Sequence, residues 1–426
     1  MSAPEYQDLL ELVAQTGIWN GSATDPHQFV LSPFTYEISE GRLNTLNEFS
    51  RNLHACMHTV TRAVAIGENQ SLGAGTVFGD FAKATKAGTP YNLPTLYPNR
   101  IPFLCKVDMV EDEDGSLRAV EIDATNPRSW GYSILGRQLA QAIKPEAKLL
   151  PGVVNLLTNF GPIKKLGAIT FLYGHTQRFY LPEFLLFAKS MRQAGVDVKV
   201  ACETEVTVCA DGIYWRDGNK LPELLVDFPP MNRNAGLIAW LKQAYLDDRV
   251  RFVIPPSYFL ASKATLTVLS AGQYDRNFEA VKHMVQPHHS PQRKICRYVA
   301  DTAMVESGVW GNIESAGENS ADWVLKRCVS SGAKGVWVGG EEGFEEALLD
   351  ATESPGQFVL QKQIQTKTHT LSHFQAGELL ESDGWRLRLT VYCSPRGVAD
   401  IAITARQGKL VHGATDAILT GTVVVE

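Results

Sequence analysis

The sequence predicts an α/β protein built on mixed sheets, and three local patterns predict it. A strand–turn–strand unit spans residues 103–122, and a strand–helix–strand unit spans residues 168–200. A lysine-bearing strand, a small glycine loop and a further strand fill residues 322–338. Each pattern joins short apolar runs by turn residues, the local signature of strands and their connections.

In chain order, residues 1–160 read as a largely helical start that also carries the hairpin. Between residues 43 and 65, Leu46, Phe49, Leu53, Met57 and Val60 recur at spacings of three and four, which marks one face of a helix. Residues 103–110 then form a strand, residues 112–115 an acidic turn ending on Gly115, and residues 117–122 the returning strand. Asp108 thus lies near one end of the hairpin with Glu121 and Asp123, which the two-residue strand period puts on one face. Two or three hard oxygen ligands at a strand end, with room for phosphate oxygens, is a common way to hold Mg²⁺. An acidic hairpin with a polar rim is the plainer alternative.

From Gly167 the pattern changes. Residues 168–173 form a buried strand, residues 181–194 a helix capped by Gly195, residues 196–200 the next strand and residues 224–228 a third. No Gly-x-Gly-x-x-Gly follows the first strand, so this Rossmann-like unit, residues 161–260, is not a dinucleotide site. In residues 261–426, Lys326 stands in an apolar strand, where a buried lysine needs an anionic partner. The loop after it contains Ser331, Gly332 and Gly335, small residues that let backbone N–H groups approach phosphate oxygens. A strand at residues 358–361 runs through Gln361 and Lys362 to Ile364, a hinge whose backbone suits an adenine edge.

On these residues the chain resembles the ATP-grasp superfamily and, more narrowly, the circularly permuted ATP-grasp ligases related to glutathionylspermidine synthetase. The matched pattern is a basic residue, a spacer, an aspartate, a glycine turn and then Glu-x-Asn before a proline, here Lys106, Asp108, Gly115, Glu121, Asp123 and Pro127. Lys106 stands where such families often carry arginine, and so lacks the bidentate fork. Asp123 stands where asparagine is usual. The carboxylates precede the nucleotide lysines, which is the permuted order. The resemblance implies ATP and Mg²⁺, with Lys263 and Lys326 on the phosphates and Gln361 beginning the adenine hinge. Asp108, Glu121 and Asp123 would be on the metal, and Arg388 and Arg406 on phosphate or acyl phosphate. It places Arg128 beside the acceptor substrate, where its guanidinium suits a carboxylate; a packed helix entry around Trp130 explains the same stretch. The implied activity joins a small carboxylic acid to an amine (an amino acid, peptide or polyamine) through an acyl phosphate. An ATP-binding protein without ligase chemistry and a small-molecule kinase are the alternatives.

Global properties agree with a soluble enzyme. The net charge of −6 argues against non-specific nucleic-acid binding. No apolar run approaches the roughly 20 residues of a membrane span, and residues 1–6 show no secretory signal, so a cytoplasmic protein is expected. Seven scattered cysteines read as reduced thiols. Cys105 reads as a structural thiol. His288 with His289 lacks partners at metal-ligand spacing; His369 and His373 stand four apart, but their stretch reads as strand or loop, which argues against a metal site there. A homodimer is the base-rate expectation for oligomeric state.

Overall fold

The computed structural model describes residues 5–22, 24–69, 102–125, 128–229, 231, 233–270, 295–305, 316–330, 334–354, 356–413 and 415–426. His288, His289, Ser331 and Gly332 lie outside them. The chain forms the expected mixture of helix and sheet, in three main sheets.

The first sheet carries the hairpin. Its strands are Cys105–Glu111 and Leu117–Asp123, joined by a turn in which Gly115 adopts φ 80°. Gly115 therefore occupies the left-handed region that glycine enters without penalty. The hairpin does not stand alone. The strand Cys105–Glu111 pairs antiparallel with the long strand Glu378–Ser394, with Asp108 opposite Thr390 and Lys106 opposite Tyr392. The strands Gly397–Gln407 and Ile418–Thr420 extend the sheet outwards. Alternating apolar residues of this sheet, among them Val107, Met109, Leu389, Val391 and Ile401, pack on the helix Glu40–Asn69 through Phe49, Leu53 and Met57. At about 25 cal/mol per Å² of apolar surface removed from water, such side chains contribute about 1.5–3 kcal/mol each, so this layer fixes the hairpin firmly.

The second sheet is antiparallel, in the order Thr302–Met304, Phe358–Lys362, Trp323–Arg327, Val336–Val338. It carries Lys326 and Gln361, and the helix Phe344–Glu353 covers one face through Phe344, Ala347 and Leu348. It abuts the hairpin, since Lys326 donates from Nζ to the carbonyl of Val120 at 3.0 Å.

The third sheet is parallel, with Ala168–Tyr173 at its centre between Asp197–Cys202 and Leu224–Leu225. The helix Leu181–Gln193 returns over it, with Phe184 and Phe187 packed on Phe171. Its order changes direction at Ala168–Tyr173, so the chain leaving that strand and the one after Leu225 opens a crevice at their carboxyl ends. Phe179, Tyr180 and Glu183, which follow that strand, line one cavity with the hairpin residues Lys106, Asp108 and Glu121.

Candidate active site

Two cavities meet at the hairpin. One, about 410 Å³, is lined by Lys106, Asp108, Glu121, Asp123, Arg128 and Arg388, with aromatic walls from Tyr132, Phe179 and Tyr180. The other, about 370 Å³, has valine walls at 110, 120, 324, 336 and 338; the segment Lys362, Gln363 and Ile364 forms its rim. Arg388 lines both.

Between the cavities the charges alternate. Asp108 Oδ2 lies 3.6 Å from Arg388 Nη1, Asp123 Oδ2 lies 3.6 Å from Lys106 Nζ, and Glu121 Oε1 lies 3.6 Å from Lys263 Nζ. These pairs attract without closing a tight hydrogen bond, which leaves the carboxylates room for another ligand. Thr390, opposite Asp108 in the sheet, donates to its other oxygen at 2.7 Å. Burial would raise the Asp108 pKa, but Arg388, Lys106, the Thr390 hydroxyl and Lys326 outweigh it and hold it below the usual carboxylate range. At Lys106 burial works downwards, and the carboxylates of Asp123, Asp108 and Glu121 reverse it, so the ammonium is held more firmly than in water.

Lys326 differs. Burial is the largest influence on it, and it pulls the pKa down to about 8 despite the opposing carboxylates of Glu121 and Asp108. Its ammonium donates to Gln361 Oε1 at 2.7 Å, and Gln361 in turn donates to the Thr302 hydroxyl at 3.0 Å. Gln361 thus supports the lysine from behind with a buried side chain, and it also lines the valine-walled cavity, at the start of the segment the sequence suggests as the adenine hinge. Lys362 sits 3.9 Å from the centroid of the Trp323 ring. Gln363 leaves a buried Oε1 without a partner on the rim.

Lys263 is almost fully buried and precedes the short helix Thr265–Leu269. Its Nζ donates to the carbonyl and hydroxyl of Ser330, both at 3.1 Å, tying it to the start of the glycine loop. Gly335 closes that loop at φ 75°, where a Cβ would meet the Arg327 side chain at 3.2 Å. It lines neither cavity. Arg406 also lies outside both, and is engaged by Asp416 through Nε at 2.9 Å and Nη2 at 2.9 Å. Arg128 stacks over the Tyr180 ring at 5.2 Å on the aromatic wall.

Sequence reasoning missed two acids. Glu183, in the first turn of the helix Leu181–Gln193, lines the larger cavity. Asp227 is buried beyond the strand Leu224–Leu225, with Oδ1 lacking a partner. Burial pushes both pKa values up to about 8, against the opposing charge of Arg128. An acid in an otherwise apolar helix start, Leu-Pro-Glu-Phe-Leu-Leu-Phe, was the available signal for Glu183.

The donor chemistry suits ATP and Mg²⁺ in a particular way. Among the described residues no three His, Cys, Asp or Glu side chains form a ready cage for an ion. One or two of the hairpin carboxylates would hold Mg²⁺, and phosphate oxygens would complete its shell, which is the ion's usual habit. Arg388 Nε, buried without a partner where the cavities meet, is a donor suited to an anion. The valine-walled cavity suits a flat base.

No family profile matches the chain, and no curated protein sequence does. Solved structures do. A glutathione synthetase-like effector from Globodera pallida, in its apo form, superposes with a TM-score of 0.55 over 99% of this chain and 98% of that one, at 12% identity. The two chains share a fold. A putative gamma-glutamylcysteine synthetase from Methylobacillus flagellatus aligns at TM-score 0.36 and 12% identity, covering 84% of this chain and 83% of that one. D-alanyl-alanine synthetase A from Vibrio cholerae aligns at TM-score 0.27 and 10% identity, covering 52% and 66%. Among the described residues no helix is long and apolar enough to cross a membrane.

Proposed function

We propose that the protein is an ATP-dependent carboxylate–amine ligase of the circularly permuted ATP-grasp type, forming an amide through an acyl phosphate. One observation carries the reading. The acids of residues 108–123 and the lysines of residues 263 and 326, remote in sequence, converge: Lys263 reaches Glu121 and Lys326 reaches the backbone of Val120. The description of the Globodera protein as glutathione synthetase-like agrees with this reading.

In this mechanism adenine enters the valine-walled cavity and the phosphates point towards Lys326, Lys263 and Arg388. Bound Mg²⁺ supplies charge neutralisation at the transferring phosphate. Arg128 receives a substrate carboxylate on the aromatic wall. The reacting carboxylate lies beside Lys106, attacks the γ-phosphorus and releases ADP; Arg388, between the cavities, offsets the charge that develops. The amine then displaces phosphate from the acyl carbon.

The test is ADP release that depends on both an acid and an amine, with mass spectrometry of the product. Glu121→Gln is expected to lower that rate at least about 100-fold. Full turnover by this variant, or ADP release needing only one substrate, overturns the reading.

A further inference from the structure

Glu183 is nine-tenths buried or more and forms part of the larger cavity wall. One carboxylate oxygen, Oε2, accepts the backbone N–H of Ser129 at 2.7 Å. The other, Oε1, is buried and makes no hydrogen bond of ordinary geometry, although the backbone N–H of Tyr132 also bears on the carboxylate. The seat is built for it. Ser129 holds a left-handed φ of 75°, a strained conformation for a non-glycine residue, and donates its N–H to the acid from it. Gly131 packs so closely that a Cβ there would lie 2.6 Å from Glu183 Cβ and 2.3 Å from its carbonyl oxygen. The Tyr392 hydroxyl, donating to the Ser129 carbonyl at 2.7 Å, braces the same turn.

We propose that Glu183 is the base that takes a proton from the attacking amine, and that the acceptor substrate is an aliphatic amine carrying a positive charge in neutral water. This rests on the ligase reading and assigns the second half of its reaction. A free carboxylate oxygen in a buried cavity wall is costly unless a cation meets it. The charged groups that bear on Glu183 are Arg128 and Lys106, with the phenols of Tyr132 and Tyr392 close enough to interact. Lys106 also pairs Asp123, and Glu183 lines the same cavity as the aromatic wall and the hairpin carboxylates. Burial keeps the empty site's carboxyl protonated up to about pH 8, and an arriving ammonium favours the carboxylate.

The step balances. The ammonium gives one proton to Glu183, and its nitrogen lone pair attacks the acyl carbon. The carbon–oxygen bond to phosphate breaks, with the electron pair leaving on phosphate. The nitrogen's second proton departs with phosphate, and Glu183 returns the first to solvent.

Hydroxylamine separates the two halves, because it is uncharged at pH 7 and needs no base. The enzyme is given ATP, Mg²⁺ and the twenty amino acids as carboxylates, with hydroxylamine, glycine or spermidine as acceptor. Hydroxamate and amide are read by mass spectrometry. Absence of hydroxamate from the unaltered enzyme sinks the ligase reading itself. Given hydroxamate, Glu183→Gln is expected to keep it within about twofold and to lose amide formation by about 100-fold at pH 7. Its residual amide rate should climb with the free-amine fraction, whereas the unaltered enzyme levels off near pH 8. Equal loss with both acceptors, or loss with neither, overturns the proposal. Should Glu183→Gln not fold, the unaltered enzyme decides: an amide rate still climbing with free amine above pH 9 counts against it.

Discussion

Lys326 and Lys106 stand in the walls of adjoining cavities, and burial has opposite outcomes at the two. At Lys106 three carboxylates overcome the loss of water and the ammonium is strengthened. At Lys326 burial wins, and its Nζ is bonded to a carbonyl and an amide oxygen, neither of them charged. The difference teaches which side of the hairpin is complete. Lys106 belongs to a charge balance the protein already satisfies; at Lys326 the carboxylates of Glu121 and Asp108 only partly offset burial, which leaves room for a further anion.

The sharpest way to break that contrast is Lys326→Met. It should weaken ATP binding at least about 100-fold by calorimetry, because it removes a buried ammonium that the carboxylates of Glu121 and Asp108 only partly offset. Unchanged affinity would remove Lys326 from the nucleotide side. Lys106→Met should behave differently, with a moderate fall in nucleotide affinity but a loss of stability of about 1–3 kcal/mol in urea titration, because Asp123 is left buried beside Asp108. A smaller effect comes from pH. The folded pKa of Lys326 lies below its unfolded value, so between pH 8 and about 10.4 the unfolded chain binds more protons and this group's contribution to stability rises with pH. Comparing melting temperatures of the unaltered protein and Lys326→Met across that window should show the rise only in the former. Over the same range ATP binding should weaken as the ammonium is lost. Smallest of all, Arg406→Ala should change stability and ATP affinity by less than about 0.5 kcal/mol, since its ion pair is with an exposed Asp416 outside both cavities. A large loss of turnover in that variant would bring Arg406 into the site after all.

The same contrast governs what was legible. Much of the valine-walled cavity comes from one stretch, residues 322–368, whose strands follow each other in an order that local patterning reveals. The hairpin was equally readable, because an acidic turn and Gly115 set it. What escaped depends on register. Arg388 faces Asp108 because Thr390 is its partner across the sheet, a pairing of residues 282 apart that no local pattern fixes. Gln361 supports Lys326 because Val359 is the residue opposite the lysine, and alternation brings Gln361 to the same face. Glu183 gave only one sequence signal, an acid in an apolar helix start; its surroundings lie in the N–H of Ser129 and the bare Cα of Gly131, two features with no side chain to read.

The long strand Glu378–Ser394 has an implication for how the molecule is made. Along one edge it first pairs Thr368–Gln375 and then hands over to Cys105–Glu111. Chain emerging from a ribosome delivers the acidic hairpin more than 250 residues before its neighbour in the sheet exists. Until then its inner strand presents an unpaired edge, the kind that invites wrong partners. Loops this long also close slowly. A pulse-labelling experiment should therefore find protection of the hairpin amides among the last to develop, and in step with those of residues 388–393.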